Sequence, residues 1–190
     1  MKQFNSRVSL KDFDSSKGLE RGANKLKEAL WYIVKVFLFL SAIPYPSSFK
    51  IWILKIFGAK IGVGVIIKPR VNIHFPWKLT VGDHVWIGEE VFLLNFEDLI
   101  IENNVCISQR SFLCGGNHDY KYPSMPYRNG PITLKDGCWI GACCFVGPGV
   151  TIGMDTVITV GSVVTKNIDS NLVTHIKPTE FSKNRWTATI

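Results

Sequence analysis

From Leu134 to Asp169 the chain counts in sixes: LKDGCW, IGACCF, VGPGVT, IGMDTV, ITVGSV, VTKNID. The first place is always a branched aliphatic (Leu134, Ile140, Val146, Ile152, Ile158, Val164), and the second is often glycine (Gly141, Gly147, Gly153). The fifth is small or modest in size: Cys138, Cys144, Val150, Thr156, Ser162, Ile168. A period of six matches neither the 3.6 of an α-helix nor the alternation of a lone strand. It matches short strands joined by tight corners and stacked coil on coil, with the aliphatic pointing inward and the fifth place sharing a narrow interior. Glycine suits a corner where a Cβ would clash.

The same count begins at Ile61 and slips at regular places. Inner aliphatics run Ile61, Ile67, Ile73, then Val81, Ile87, Leu93, then Ile101, Ile107, Leu113, with two extra residues before Val81, two before Ile101 and fifteen before Leu134. Insertions after every third hexad mean that three hexads make one coil, triangular in section, and that every insertion leaves from one corner. Five coils then account for residues 61–169, and the insertion 119–133 is a loop thrown out from that corner. Structureless loops of this length are characteristically functional or disordered.

Ahead of the repeats the chain changes character. Residues 1–23 are polar and read as loosely ordered, whereas 25–43 read as a helix stopped by Pro44 and Pro46. The apolar run from Ala29 to Ile43 spans 15 residues and is interrupted by Lys35, short of the roughly 18–20 that a spanning helix needs. A second helical piece covers Ser48 to Phe57, so that residues 1–57 form a polar start and an apolar hairpin, 58–169 the coil stack and 170–190 a C-terminal extension. The hairpin either packs on the stack or lies on a membrane surface, and both can hold at once. Residues 1–80 carry 14 Lys/Arg against 4 Asp/Glu, and the remainder 8 against 11. A basic N-terminal part suits nucleic acid, anionic lipid or an acidic substrate, or is simply a lysine-rich surface. The start MKQFNSRVSLKDFD lacks the apolar core of a signal peptide, and five cysteines without zinc or redox spacing fit a reduced, cytoplasmic protein.

The hexads, the loop opening GGNHDY and the run PITLKDGCWIG…PGVTIG…VGSVVTK resemble the hexapeptide-repeat acyltransferases over residues 61–175. Among these the chain is similar to galactoside, maltose and nodulation-type O-acetyltransferases. With KIFGAKIG and HFPWKLTVGDHVWIG it is most similar to the colanic acid biosynthesis acetyltransferases. The resemblance implies an all-β, left-handed parallel β-helix, assembled as a homotrimer with acetyl-CoA bound as co-substrate between subunits. The handedness comes from the resemblance alone.

Of four histidines (His74, His84, His118, His175), His118 closes the third coil where the long loop departs. The resemblance makes it the base that deprotonates an acceptor hydroxyl, a task suited to an imidazole titrating near neutrality. His74 and His84 read as structural or exposed. A zinc site would need three convergent histidines, two of them close in sequence; His118 has no such neighbour, and no metal is expected. Asn95, one coil below at the same corner, is a contact to the acceptor by resemblance and equally a corner-turn asparagine. Trp139, outward on its hexad, faces either a trimer interface or the acceptor and pantetheine. Ala142, Val160, Thr165 and Lys166 match positions lining the coenzyme cleft, with Lys166 able to meet a phosphate and the backbone N–H near Ala142 a candidate oxyanion donor. The chain leaves the repeats through HIKPTEFSK rather than the usual Gly-x-Pro-Ala, with Lys177 and Lys183 left to supply positive charge.

The expectation is an acetyl-CoA-dependent O-acetyltransferase acting on a sugar or lipid-linked glycan in surface polysaccharide biosynthesis, with no nucleic-acid partner. The alternatives are N-acetylation of an amino-sugar nucleotide on the same scaffold and a non-catalytic β-helix scaffold. An acyl-enzyme on Cys114, four residues from His118, is the chemical rival to direct transfer.

Overall fold

The structure, a computed structural model, describes residues 7–177. Short parallel strands stack into three sheets, one for each side of a triangular β-helix. On the first side Ile61, Val81, Ile101, Leu134 and Ile152 stand in one register. On the second stand Ile67, Ile87, Ile107, Ile140 and Ile158, and on the third Ile73, Leu93, Leu113, Val146 and Val164. All these aliphatics are buried, each stabilising the fold by about 1.5–3 kcal/mol. The fifth-place residues fill the space between them. Where that place is polar its hydroxyl is satisfied: Ser111 donates to the Gly141 carbonyl at 2.8 Å and Thr156 to that of Asp169 at 2.7 Å.

The stack runs past the five coils expected. Ile168 bridges to Ile152, and Val173–Thr174 pairs with Val157–Ile158, which begins a sixth coil inside the segment read as an extension. The count is hidden because this corner is two residues shorter than the preceding one, and because Thr174 stands where the other coils carry an aliphatic. The corners also differ from the reading that stressed second-place glycines. Gly141 does need its missing Cβ, which would lie 2.7 Å from the Ile158 carbonyl oxygen. Left-handed backbone, however, falls on the fourth place of the hexad: Gly64, His84, Asn104, Gly137, Asp155 and Asn171 at one corner, all with φ between +52° and +70°. Glycine, asparagine and aspartate are the residues that tolerate this region best.

The hairpin closes the first coil. Helix α1 (Lys25–Val34) starts under the Asn24 cap, whose side chain accepts from the Lys27 N–H at 2.8 Å, and continues as a π-helical turn, Lys35–Phe39. Helix α2 (Ser47–Ile56) follows. A β-helix hydrogen-bonds along its axis, so the first coil presents unpaired groups at its open edge. The hairpin's side chains meet them. Trp31 Nε1–H donates to the carbonyls of Ile73 and His74 at 3.1 and 3.0 Å. The Ser47 hydroxyl accepts the Ile67 N–H at 3.0 Å, and the Lys50 ammonium donates to the Ile67 and Lys68 carbonyls at 3.1 and 3.0 Å. Trp31, Phe39, Ile53 and Leu54 join the core beneath. The hairpin therefore packs on the stack.

Residues 7–23 are not the loose segment expected from their polarity. Ser9 N–H donates to the Pro123 carbonyl at 2.9 Å, Asn129 donates to that of Gly18 at 3.2 Å, and Trp77 Nε1–H to that of Arg21 at 2.6 Å. Lys78 adds a bond to the Glu20 carbonyl. The segment is an arm strapped across the loop corner by its backbone, which a composition-based reading does not register.

Lys50 is 1 % exposed, and Lys50→Ala strands two carbonyls in that setting. The expected loss is about 2–4 kcal/mol, read as a lowered urea midpoint, whereas Lys55→Ala on the exposed side should stay within about 0.5 kcal/mol. An unchanged midpoint in Lys50→Ala would contradict the edge-capping role.

Candidate active site

The long loop leaves and returns through a glycine neck. Gly115 N–H donates to the Leu94 carbonyl at 2.9 Å and Gly130 N–H to that of Gly115 at 3.0 Å. A Cβ on Gly130 would lie 2.6 Å from the Gly149 nitrogen, so only glycine lets the returning strand lie so close to the next coil. Beyond the neck the loop folds on itself: His118 and Tyr127 form an antiparallel bridge, and Asp119 N–H donates to the Pro126 carbonyl at 2.8 Å.

This fold-back decides the state of His118. Its Nδ1 lies 2.7 Å from the Met125 carbonyl oxygen. A carbonyl only accepts, so Nδ1 carries the hydrogen and Nε2 keeps its lone pair. Met125 presents that carbonyl from left-handed backbone, φ +46°, a conformation that costs energy in an unbranched non-glycine residue. The ring itself is gripped on two sides. Tyr127 stacks on it with centroids 5.0 Å apart, and Phe13 of the N-terminal arm meets it edge-on at 5.3 Å. The result is a half-buried imidazole, fixed in plane and tautomer, whose Nε2 has no hydrogen-bond partner among the described residues.

Cys114 is poorly suited to the rival role. Its thiol points a hydrogen at the Gly116 carbonyl, 3.2 Å away, and burial raises its pKa above the ordinary thiol value. The Nδ1 of His118 is committed to Met125. A thiol raised by burial is a weak source of thiolate.

Asn95 is 2 % exposed and clamps the corner beneath. Its Oδ1 accepts the Phe75 N–H at 2.9 Å, and its Nδ2 donates to the Phe75 carbonyl at 2.6 Å. Trp139 is half exposed on the second side, with Nε1–H on the Ser108 hydroxyl at 2.9 Å. Ala142 and Val160 lie on the corner between the second and third sides in successive coils, linked by the Gly161 N–H bond to the Ala142 carbonyl at 2.9 Å. Thr165 and Lys166 are exposed on the corner that also carries the long loop, two coils further on. Lys183 and the exit from Pro178 lie outside the described residues. Within one chain the candidate coenzyme residues therefore occupy two different corners and do not converge. Of the other histidines, His84 turns a corner at φ +56° and His175 Nδ1 meets the Thr159 hydroxyl at 2.8 Å. His74 touches Phe75 and Phe96.

Phe13, Phe96, Met125 and Tyr127 were not singled out in the sequence. An aromatic row passes through two of them, Phe75 to Phe96 at 6.0 Å, Phe96 to Tyr127 at 5.9 Å and Tyr127 to His118, and Phe13 meets its far end. The available signal was a lone phenylalanine in the polar stretch KDFDSS, where no amphipathic period explains it.

The outer faces also differ. Outward residues on the first side are mainly polar (Lys60, Thr80, Thr133, Thr151). The second side carries Ile66, Trp86, Cys106, Trp139, Val157 and Val173 in register. The third carries Phe92 stacked on Phe112 at 4.7 Å, with Phe145 beyond.

No family model matches the chain. It is 38% identical over 176 residues to an Escherichia coli protein with the provisional name colanic acid biosynthesis acetyltransferase WcaF, covering 93% of this chain and 96% of that one. Among solved structures, a hexapeptide-repeat acetyltransferase from Vibrio cholerae complexed with acetyl coenzyme A superposes with TM-score 0.70 at 20% identity, over 78% of this chain and 81% of that one. A galactoside acetyltransferase in complex with coenzyme A gives 0.69 at 23% identity, over 77% and 75%. At the level of identity and coverage found with WcaF, the chain belongs to the hexapeptide-repeat acetyltransferases.

Proposed function

We propose that the chain is an acetyl-CoA-dependent O-acetyltransferase that esterifies a sugar hydroxyl during assembly of a surface polysaccharide. The observation that carries this reading is the His118 imidazole with Nδ1–H tied to a carbonyl and Nε2 without a partner among the described residues. The name of the E. coli relative supports the setting, and the acetyl-CoA complex of the V. cholerae protein supports the donor. In the proposed reaction Nε2 takes the proton from the acceptor hydroxyl as its oxygen bonds to the thioester carbonyl carbon. A backbone N–H near Ala142 steadies the oxyanion. As the intermediate collapses the C–S bond breaks, and the imidazolium returns its proton to the departing coenzyme thiolate, leaving an ester and a free thiol.

Ala142, Val160, Thr165 and Lys166, with Lys183 beyond the described residues, are the proposed coenzyme-binding set, and Trp139 the proposed acceptor contact, with Asn95 acting on the acceptor side only through its hold on Phe75. The corners bearing Val160, Thr165 and Lys166 are exposed, and a Cβ on Gly161 would meet nothing within 4 Å, so the surface there has room for pantetheine. Because these residues occupy two corners, we assign the cleft to adjacent copies, one corner from each, in a homotrimer whose contacts use the two apolar outer sides.

The hairpin contributes a location. Leu30, Ile33, Phe37, Trp52 and Ile56 are exposed on the side away from the stack, with Lys55 beside Trp52 and Ile56. No helix among the described residues is long and apolar enough to cross a membrane. An apolar face with a lysine beside it, at the basic end of the chain, suits the anionic cytoplasmic leaflet, and it brings His118 to lipid-linked glycans.

His118→Ala should lower turnover roughly 10²–10⁴-fold with acetyl-CoA still bound, as followed by thiol release and calorimetry, while Cys114→Ala retains most activity. Near-normal turnover in His118→Ala rules out the base assignment, and an acetyl group trapped on Cys114 rules out direct transfer. Light scattering should give three times the 21.4 kDa chain mass; a monomer at micromolar concentration removes the shared cleft. The protein should pellet with anionic liposomes at low salt and less at high salt. Failure to pellet at low salt leaves the hairpin as an edge cap only.

A further inference from the structure

Between α1 and the first coil lies a cavity of about 330 Å³, lined among others by Arg21, Tyr32, Lys35, His74, Phe75 and Trp77. Lys35 opens the π-helical turn, a local widening of the helix that is often found at functional positions. It is 8 % exposed, yet among the described residues its ammonium makes no hydrogen bond or ion pair; its one polar contact is over the Tyr32 ring, 5.5 Å from the centroid. The comparison with Lys50 is instructive. That lysine is also buried, but its three-donor head is spent on two carbonyls of the first coil. Burying an ammonium without a counter-charge is costly, and burial lowers the pKa of Lys35.

The one carboxylate in the cavity does not supply the missing charge. Glu28 is taken by Arg21 through three hydrogen bonds of 2.7–2.9 Å. Lys25 also lines the cavity, so the lining carries three cations against one anion. His74 is held neutral: burial, then the Lys35 and Arg21 charges, lower its pKa to about 4, against a smaller opposing effect of Glu28. It can donate or accept there without carrying a charge of its own.

We propose that this cavity is a phosphoryl-binding subsite, with the Lys35 ammonium as the main partner, Arg21 and His74 beside it, and Phe75 and Trp77 as the floor for an attached sugar. Phosphate suits the set because it brings the missing negative charge and several acceptors at once. The aromatic row from Phe75 through Phe96 and Tyr127 ends at His118, so a glycan anchored by its phosphate would run towards the base. That last step rests on the acetyltransferase reading; the anion site does not. The phosphoryl group has two sources, a sugar-linked phosphate of the acceptor or a phospholipid headgroup beside the hairpin.

The probe is inorganic pyrophosphate, titrated into the intact protein saturated with acetyl-CoA so that the coenzyme's own phosphate contacts are blocked. Calorimetry reads affinity, and NMR reads the His74 imidazole. Binding should raise the His74 pKa from about 4, since an anion favours the charged ring. Lys35→Gln should weaken binding roughly 10- to 100-fold, the worth of one charged hydrogen bond. Arg21→Gln should also weaken it, with circular dichroism checking that α1 survives the loss of the Arg21–Glu28 ion pair, and Lys55→Gln should not change it. No binding, or equal affinity in wild type, Lys35→Gln and Arg21→Gln, overturns the site. Repeating the titration with phosphatidylcholine vesicles, with and without phosphatidylglycerol, separates the sources: displacement by the anionic vesicles assigns the site to a headgroup, and its absence supports the acceptor phosphate. Loss of acetyl-CoA binding by the wild-type protein would count against the transferase reading and leave the pyrophosphate result standing.

Discussion

A β-helix makes its backbone hydrogen bonds along its own axis, and the whole molecule is arranged around the consequence that a stack must end. Each inner coil has a neighbour above and below, so its strand amides and carbonyls pair from coil to coil, with side chains serving only the corners. The first coil has a neighbour on one side only. Trp31, Ser47 and Lys50 take the place of the missing coil, each aimed at particular backbone groups of Ile67, Lys68, Ile73 and His74. Those bonds fix where α1 and α2 sit. Their position in turn sets Lys35 over the first coil and leaves the opposite, apolar side of the hairpin outward. Edge satisfaction, cavity and candidate membrane face are three results of one requirement.

The coil architecture was legible because the hexad repeats a physical demand: one branched aliphatic inward, then a tight corner, three times per turn. The regular slips even located the corner from which every insertion leaves. What was missed lacked a period. The sixth coil shortens its corner and replaces the aliphatic with Thr174, so the count stops before the hydrogen bonds do. The fourth-place left-handed residues, Asn171 among them, were a better mark of where the coils continue, because backbone geometry at a corner is required whether or not the interior is apolar.

The candidate site was half legible for a similar reason. His118 stood out by its place at the root of a long insertion. Its setting did not, because the groups that shape it come from three separate stretches: Phe13 from the arm, Phe96 from the corner lengthened by two residues, and Met125 with Tyr127 from the loop itself. The arm is held by backbone carbonyls and amides, which carry no side-chain signature. Asn95 shows how two readings of one residue are resolved by what its atoms touch: both polar ends are spent on Phe75, which begins the aromatic row.

The partner chosen for Nδ1 of His118 has a chemical consequence. In many acid–base pairs an imidazole leans on a carboxylate, whose full negative charge stabilises the protonated ring. Here the support is the Met125 carbonyl, a neutral dipole. It fixes the plane and the tautomer of the ring from the main chain, so the direction of Nε2 is encoded in the path of the loop's backbone and not in the identity of an acidic side chain.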